Sequence, residues 1–129
     1  MNNPKVLIQE TDQSVLEMLS IALEDEGFCV LGSLGFDSGF MSAIDKFRPH
    51  VVVLDYRLSG VESVRVCQEI KKKYPQLPVL ALSCNSNIHL EYDDKGFDDY
   101  IRKPFELAVL YKILRKHIAL AQNAYQNTV

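Results

Sequence analysis

Five side chains in this sequence suit one kind of chemistry: Glu10, Thr11, Asp55, Ser83 and Lys103. Each lies at the end of a segment that reads as a short strand: Lys5-Val-Leu-Ile8, Val51-Val-Val-Leu54, Pro78-Val-Leu-Ala-Leu82 and Asp99-Tyr-Ile-Arg102. The carboxylates of Glu10 and Asp55, a hydroxyl and the Lys103 ammonium form a kit for handling a phosphoryl group. A carboxylate can attack phosphorus and become an acyl phosphate. A divalent cation between carboxylates offsets their mutual repulsion and the charge of the incoming phosphate. Lysine and a hydroxyl can then hold the phosphate oxygens. Any one residue alone is weak evidence, since an aspartate ending a strand commonly serves only the following turn. Their arrival at successive strand ends carries the argument.

The elements that must position them alternate regularly. Lys5–Ile8 reads as a buried strand, followed by a helix with Val15, Leu16, Leu19, Ala22 and Leu23 on one face and Thr11 or Asp12 as its cap. Gly27 ends that helix and Phe28–Ser33 is the second strand. Asp37 or Ser38 can cap a second helix with Phe40, Met41, Ile44 and Phe47 inward. Val51–Asp55 is an unbroken apolar run of the kind found in strands buried on both faces. Gly60 opens a third helix bearing Val64, Cys67, Ile70 and Tyr74, and Pro75 stops it. Pro78–Ser83 is a fourth strand, and Asp99–Lys103 a short fifth that Pro104 turns. A last helix starts near Glu106 and buries Leu107, Leu110, Tyr111, Leu114 and Ile118. Between Ser83 and Gly96 the helical signal is weak. The resulting (βα)5 order predicts an α/β doubly wound three-layer sandwich around a five-stranded parallel sheet. Residues 1–121 are expected to form the domain, with 122–129 as a tail or the start of a linker.

With 129 residues, the chain suffices for one domain with a proper core. The net charge of −3 argues against a nucleic-acid-binding surface. Cys29, Cys67 and Cys84 form no Cys-x-x-Cys pair, so neither a disulfide framework nor a zinc site is indicated, and each reads as a small core residue. No apolar run is long enough for a membrane span, and Met1–Lys5 has no signal-peptide character, so a cytoplasmic setting is expected.

At this point the sequence resembles the receiver domain of two-component response regulators over residues 5–120. Val51–Gly60 is similar to the family's third strand with its phosphoacceptor, which implies that role for Asp55. Pro78–Ser83 resembles the strand bearing the switch hydroxyl, here Ser83. Gly96-Phe-Asp-Asp-Tyr-Ile-Arg-Lys-Pro-Phe105 resembles the family's late motif. It implies Lys103 as the invariant lysine, a cis bond before Pro104 and Tyr100 as the rotamer-switching aromatic. The resemblance also implies Mg²⁺ held by Glu10, Asp55 and the backbone carbonyl of Arg57. It implies a sensor histidine kinase or phosphotransfer protein as donor, with a downstream protein or fused output domain as receiver of the signal. Neither nucleic acid nor membrane is expected to be touched directly, and a homodimer is compatible with the family. The domain is not an enzyme beyond catalysing its own phosphoryl transfer and autodephosphorylation.

Two departures from the family pattern matter. Where the family ends its first strand with two acids, this chain has Glu10 and Thr11, and Asp12 beyond them reads as a helix cap. A neutral oxygen replaces a carboxylate in front of a hard cation, so weaker Mg²⁺ binding is expected. The segment from Ser83 to Gly96 is also shorter than in the family and poor in helix formers, which alters the surface of the fourth helix. Ser59 replaces a frequent proline, and Arg57 and Asn85 occupy positions that vary within the family. An alternative reading is a degenerate receiver, an interaction module without Mg²⁺-dependent phosphorylation. A small flavodoxin-like or phosphatase-type enzyme is disfavoured, because Gln9–Gln13 lacks glycine and Asp55-Tyr-Arg57 lacks a second acid. His50, His89 and His117 are scattered and read as structural or exposed.

Overall fold

Val51–Asp55 (β3) and Val79–Ser83 (β4) are buried at every position, so their side chains must be accepted on both faces of a sheet. A computed structural model describes residues 3–57 and 60–128, with side chains through residue 123, and shows how this is done. Lys5–Gln9 (β1), Cys29–Ser33 (β2) and Asp99–Arg102 (β5) join β3 and β4 in one sheet ordered β2-β1-β3-β4-β5, with every pairing parallel. The expected fold and strand count are what the structure contains.

Alternation along the strands builds two cores. Val6, Ile8, Val51, Val53, Leu80 and Leu82 point to one face, where they meet Leu19 and Leu23 of α1 (Gln13–Asp25) and Leu110, Leu114 and Ile118 of α5 (Leu107–Thr128). Leu7, Val52, Leu54, Val79 and Ala81 point to the other. There they pack on α2 (Phe40–Phe47), α3 (Val61–Lys73) and Ile88 of α4 (Ile88–Glu91). Helices on both faces leave the strand ends as the place for chemistry. The order reverses at β1, whose neighbours are β2 and β3, so a crevice opens between the carboxyl ends of β1 and β3.

Several local expectations are corrected. The helix α2 is entered at Gly39 rather than capped by the side chain of Asp37 or Ser38; Asp37 Oδ1 instead accepts the Gly39 amide at 2.9 Å. Only Cys67 is a core cysteine, while Cys29 and Cys84 are exposed, because they fall at the sheet's edge strand and just past a strand end. The helix α5 continues through residues 122–128 instead of ending before a tail. The weak fourth helix is a single turn. Ser59 lies outside the described residues.

Gly60 is constrained twice. Its φ of +72° favours a residue without Cβ, and a Cβ there would come within 2.4 Å of the Tyr56 ring. The Gly60 backbone therefore lies directly against that ring. Among the described residues, no helix is long and apolar enough to cross a membrane.

Candidate functional site

The ladder places the site before any side chain is considered. Gln9 pairs with Leu54 between β1 and β3, and Ser83 pairs with Arg102 between β4 and β5. Glu10, Asp55 and Lys103 therefore emerge together at one rim. Lys103 Nζ lies 2.8 and 3.2 Å from the two carboxylate oxygens of Glu10 and 3.5 Å from Asp55 Oδ1. The Glu10 and Asp55 side chains are 2% and 4% exposed, whereas that of Lys103 is 25% exposed. One cation reaching in from the solvent side thus serves two nearly buried acids.

Burial pushes the Glu10 carboxyl above the usual range and the neighbouring Asp55 adds to this, against the pull of Lys103. Burial works against the Lys103 ammonium, but the Glu10 hydrogen bond and the two carboxylate charges outweigh it, so its pKa rises. Lys103 is thus held charged at any physiological pH.

The second oxygen of Asp55 accepts the backbone amide of Thr11 at 3.2 Å. Thr11 contributes to the site through its main chain, which any residue there could do. Asp12 is the N-cap of α1, its Oδ1 accepting the Val15 amide at 3.2 Å, and so does not replace the missing acid. A cavity of about 550 Å³ lies at this rim, lined by Glu10, Thr11, Asp55, Arg57, Cys84 and Lys103 among others.

Ser83 does not line that cavity. It is 1% exposed, and its Oγ accepts the Asn85 amide at 3.0 Å, holding the turn after β4. Its carbonyl accepts the Lys103 amide at 2.7 Å, which ties the β4 and β5 ends together. Tyr100 is partly buried on the α4 side, its ring 5.0 Å from that of Tyr92. The peptide bond before Pro104 is cis. His50 accepts the Lys5 amide at 2.8 Å and His117 lies 2.8 Å from Asp99, so both are structural.

One contributor was not singled out from the sequence. Gln9, 2% exposed, accepts the Asp55 amide on Oε1 at 3.1 Å and donates from Nε2 to the Leu34 carbonyl at 3.1 Å. It fixes the backbone of Asp55 across the β1–β3 crevice. The available signal was a long amide side chain at the last position of an otherwise apolar buried strand.

The groups expected to face a divalent cation would offer only oxygens: Glu10, Asp55 and the Arg57 carbonyl, which accepts the Gly60 amide at 2.7 Å. Carbonyl and carboxylate oxygens each have a second lone pair, so the set fits a hard cation. It does so with two carboxylates, and Glu10 is already engaged by Lys103. Among the described residues no cluster of three or more acidic, histidine or cysteine ligands is present.

Parallel strands, rim acids and a lysine bridging them define a phosphoryl-handling α/β domain, and comparison with known proteins gives the family. The response regulator receiver domain family matches residues 6–115, and the chain belongs to it. The DNA-binding dual master transcriptional regulator RpaA of Synechocystis is 29% identical over 134 residues, covering 98% of this chain and 55% of that protein. The DNA-binding response regulator MtrA of Mycolicibacterium smegmatis is 32% identical over 107 residues, covering 79% and 45%. The chain thus spans about half the length of these curated relatives. NtrX from Brucella abortus, solved in complex with ADP, superposes with a TM-score of 0.82 at 26% identity, over 99% of this chain and 30% of that one. TrrA from Thermotoga maritima, solved in complex with Mg(2+)-BeF, superposes with a TM-score of 0.76 at 20% identity, over 88% and 98%, and shares the fold. The charge-based expectation of no contact with nucleic acid finds no support here, since RpaA and MtrA are DNA-binding regulators by name.

Proposed function

We propose that Asp55 is the phosphoacceptor of this receiver domain and that the phosphoryl group comes from the phosphohistidine of a partner kinase or phosphotransfer protein. The observation that carries this is Lys103, which reaches both Glu10 and Asp55 from the end of β5. An Asp55 oxygen attacks phosphorus as the bond to the histidine nitrogen breaks, and the nitrogen's electron pair stays with the imidazole. The Thr11 amide and Gln9 hold the acceptor in place from side chain and backbone. Lys103 is positioned to follow the new phosphate oxygens, trading its bond to Glu10 for a charge-assisted one. Ser83 must turn from the Asn85 amide to reach them, and Tyr100 must leave its seat beside Tyr92; both are movements between two states biased by the added charge.

Mg²⁺, when bound, supplies charge neutralisation, and Glu10, Asp55 and the Arg57 carbonyl are the residues that would hold it, less tightly for the lack of an acid at Thr11. The signal leaves through a downstream protein or an output domain of a longer chain, as the relatives' length suggests, and the setting is cytoplasmic.

The test is an amide NMR titration with beryllofluoride and MgCl₂, in the wild-type protein and in Asp55→Asn. Shifts at Thr11, Ser83, Tyr100 and Lys103 in the wild type, absent in the variant, are expected. No response at high MgCl₂ would overturn the reading and leave an interaction module that is not phosphorylated.

A further inference from the structure

The residue after the acceptor has a role that neither the rim nor the late motif explains. Tyr56 is 2% exposed, and its amide donates to the Leu82 carbonyl at 2.8 Å, so the ring moves with the end of β3. The Gly60 backbone closes over one side, and Phe97 meets the ring edge-on at 5.8 Å and 70°. From this box the hydroxyl donates to Glu91 Oε2 at 3.0 Å. Glu91 is the last residue of α4, and the next residue, Tyr92, carries the ring that packs on Tyr100. The single turn of α4 is therefore gripped at two consecutive residues, Glu91 from β3 and Tyr92 from β5.

We propose that Tyr56 is a positioning residue whose hydrogen bond to Glu91 transmits the state of Asp55 to α4, in parallel with Tyr100. The proposal rests on Asp55 being the phosphoacceptor. A phosphoryl group there places new negative charge one residue away, at the strand end that carries the ring. A boxed ring cannot absorb a shift there by rotating, so its hydroxyl is carried along. A hydrogen bond weakens steeply with misalignment, which makes a small displacement enough to release Glu91. A long helix would hold its position through its own hydrogen bonds, but a single turn has little such support. The side-chain ties then decide where α4 sits.

Tyr56→Phe keeps the ring and removes the hydroxyl. In the untreated protein, α4 amides of the variant should exchange with solvent about five-fold faster than in the wild type, the equivalent of one net hydrogen bond. On adding beryllofluoride and MgCl₂, Ser83 and Lys103 should shift as in the wild type, while Ile88–Tyr92 lose most of their induced shift. Glu91→Gln retains an acceptor oxygen and should keep the wild-type response. Unchanged α4 exchange with an unchanged induced shift in Tyr56→Phe would overturn the proposal. If Ser83 and Lys103 fail to respond in the wild type itself, the phosphoacceptor reading falls, and faster exchange in the variant would then mark a static tie, which equally overturns the coupling.

Discussion

Replacing Lys103 with Met keeps most of the aliphatic stem and removes the one charge that serves two acids. The ammonium lies 2.8 Å from Glu10 and 3.5 Å from Asp55, and each unit pair at such range is worth about 5–6 kcal/mol at an effective dielectric constant of ~20, before solvation. Stripping one partner from a buried ion pair costs about 3–5 kcal/mol. The Lys103 side chain is 25% exposed, so water screens part of the interaction and a loss of about 2–3 kcal/mol at neutral pH is expected. With urea slopes of about 1–3 kcal/mol per molar, the unfolding midpoint should fall by about 1–2 M. The pH dependence gives the sharper check. Burial and Asp55 raise the Glu10 carboxyl in the folded state, and losing the Lys103 pull raises it further. A group whose folded carboxyl pKa is raised loses stability as pH climbs from its unfolded toward its folded value, so the deficit should shrink on acidification from neutrality toward about pH 5. Wild type should show the same slope more weakly. A Lys103→Met protein as stable as wild type at neutral pH, or a deficit that widens on acidification, would refute the reasoning.

Thr11→Asp restores an acid at the rim, where Thr11 holds Asp55 through its amide and its hydroxyl oxygen lies 3.5 Å from Gln9 Nε2; Mg²⁺ affinity measured by calorimetry should rise about ten-fold, and an unchanged affinity would show that side chain not to face the cation. Cys29 and Cys84 are exposed, whereas burial pushes the Cys67 thiol up to about 12. A colorimetric thiol reagent at neutral pH should therefore label two cysteines in the native protein and the third only on unfolding.

The scaffold was readable because burial leaves its mark on single residues. The runs at Val51–Leu54 and Val79–Leu82 contain no polar alternation, and the structure buries all of them on both faces. The rim was readable for a related reason: parallel strands must end together, so the polar residues that follow each strand had to arrive at one edge. Glu10, Asp55 and Lys103 do so. Ser83 reaches the edge but spends its hydroxyl on the Asn85 amide, a local competition that strand ends alone do not reveal. Gln9 escaped notice because its function depends on which strand lies beside β1, and pairing across 46 positions is not written in any local pattern. Cys29 and Cys84 misled because apolar neighbours say nothing about whether a strand is at the sheet's edge, as for Cys29, or where a strand ends, as for Cys84.

At positions 11 and 103 it is the main-chain amide that ties the residue into the rim. Thr11 holds Asp55 by its amide, and the Lys103 amide is held by a carbonyl, so the geometry of the rim survives a change of side chain at either position. The domain is for that reason a socket whose contacts can be swapped without rebuilding its frame. A change of side chain at position 11 therefore costs little in folding, and its consequence falls on metal binding and so on the lifetime and timing of the signal.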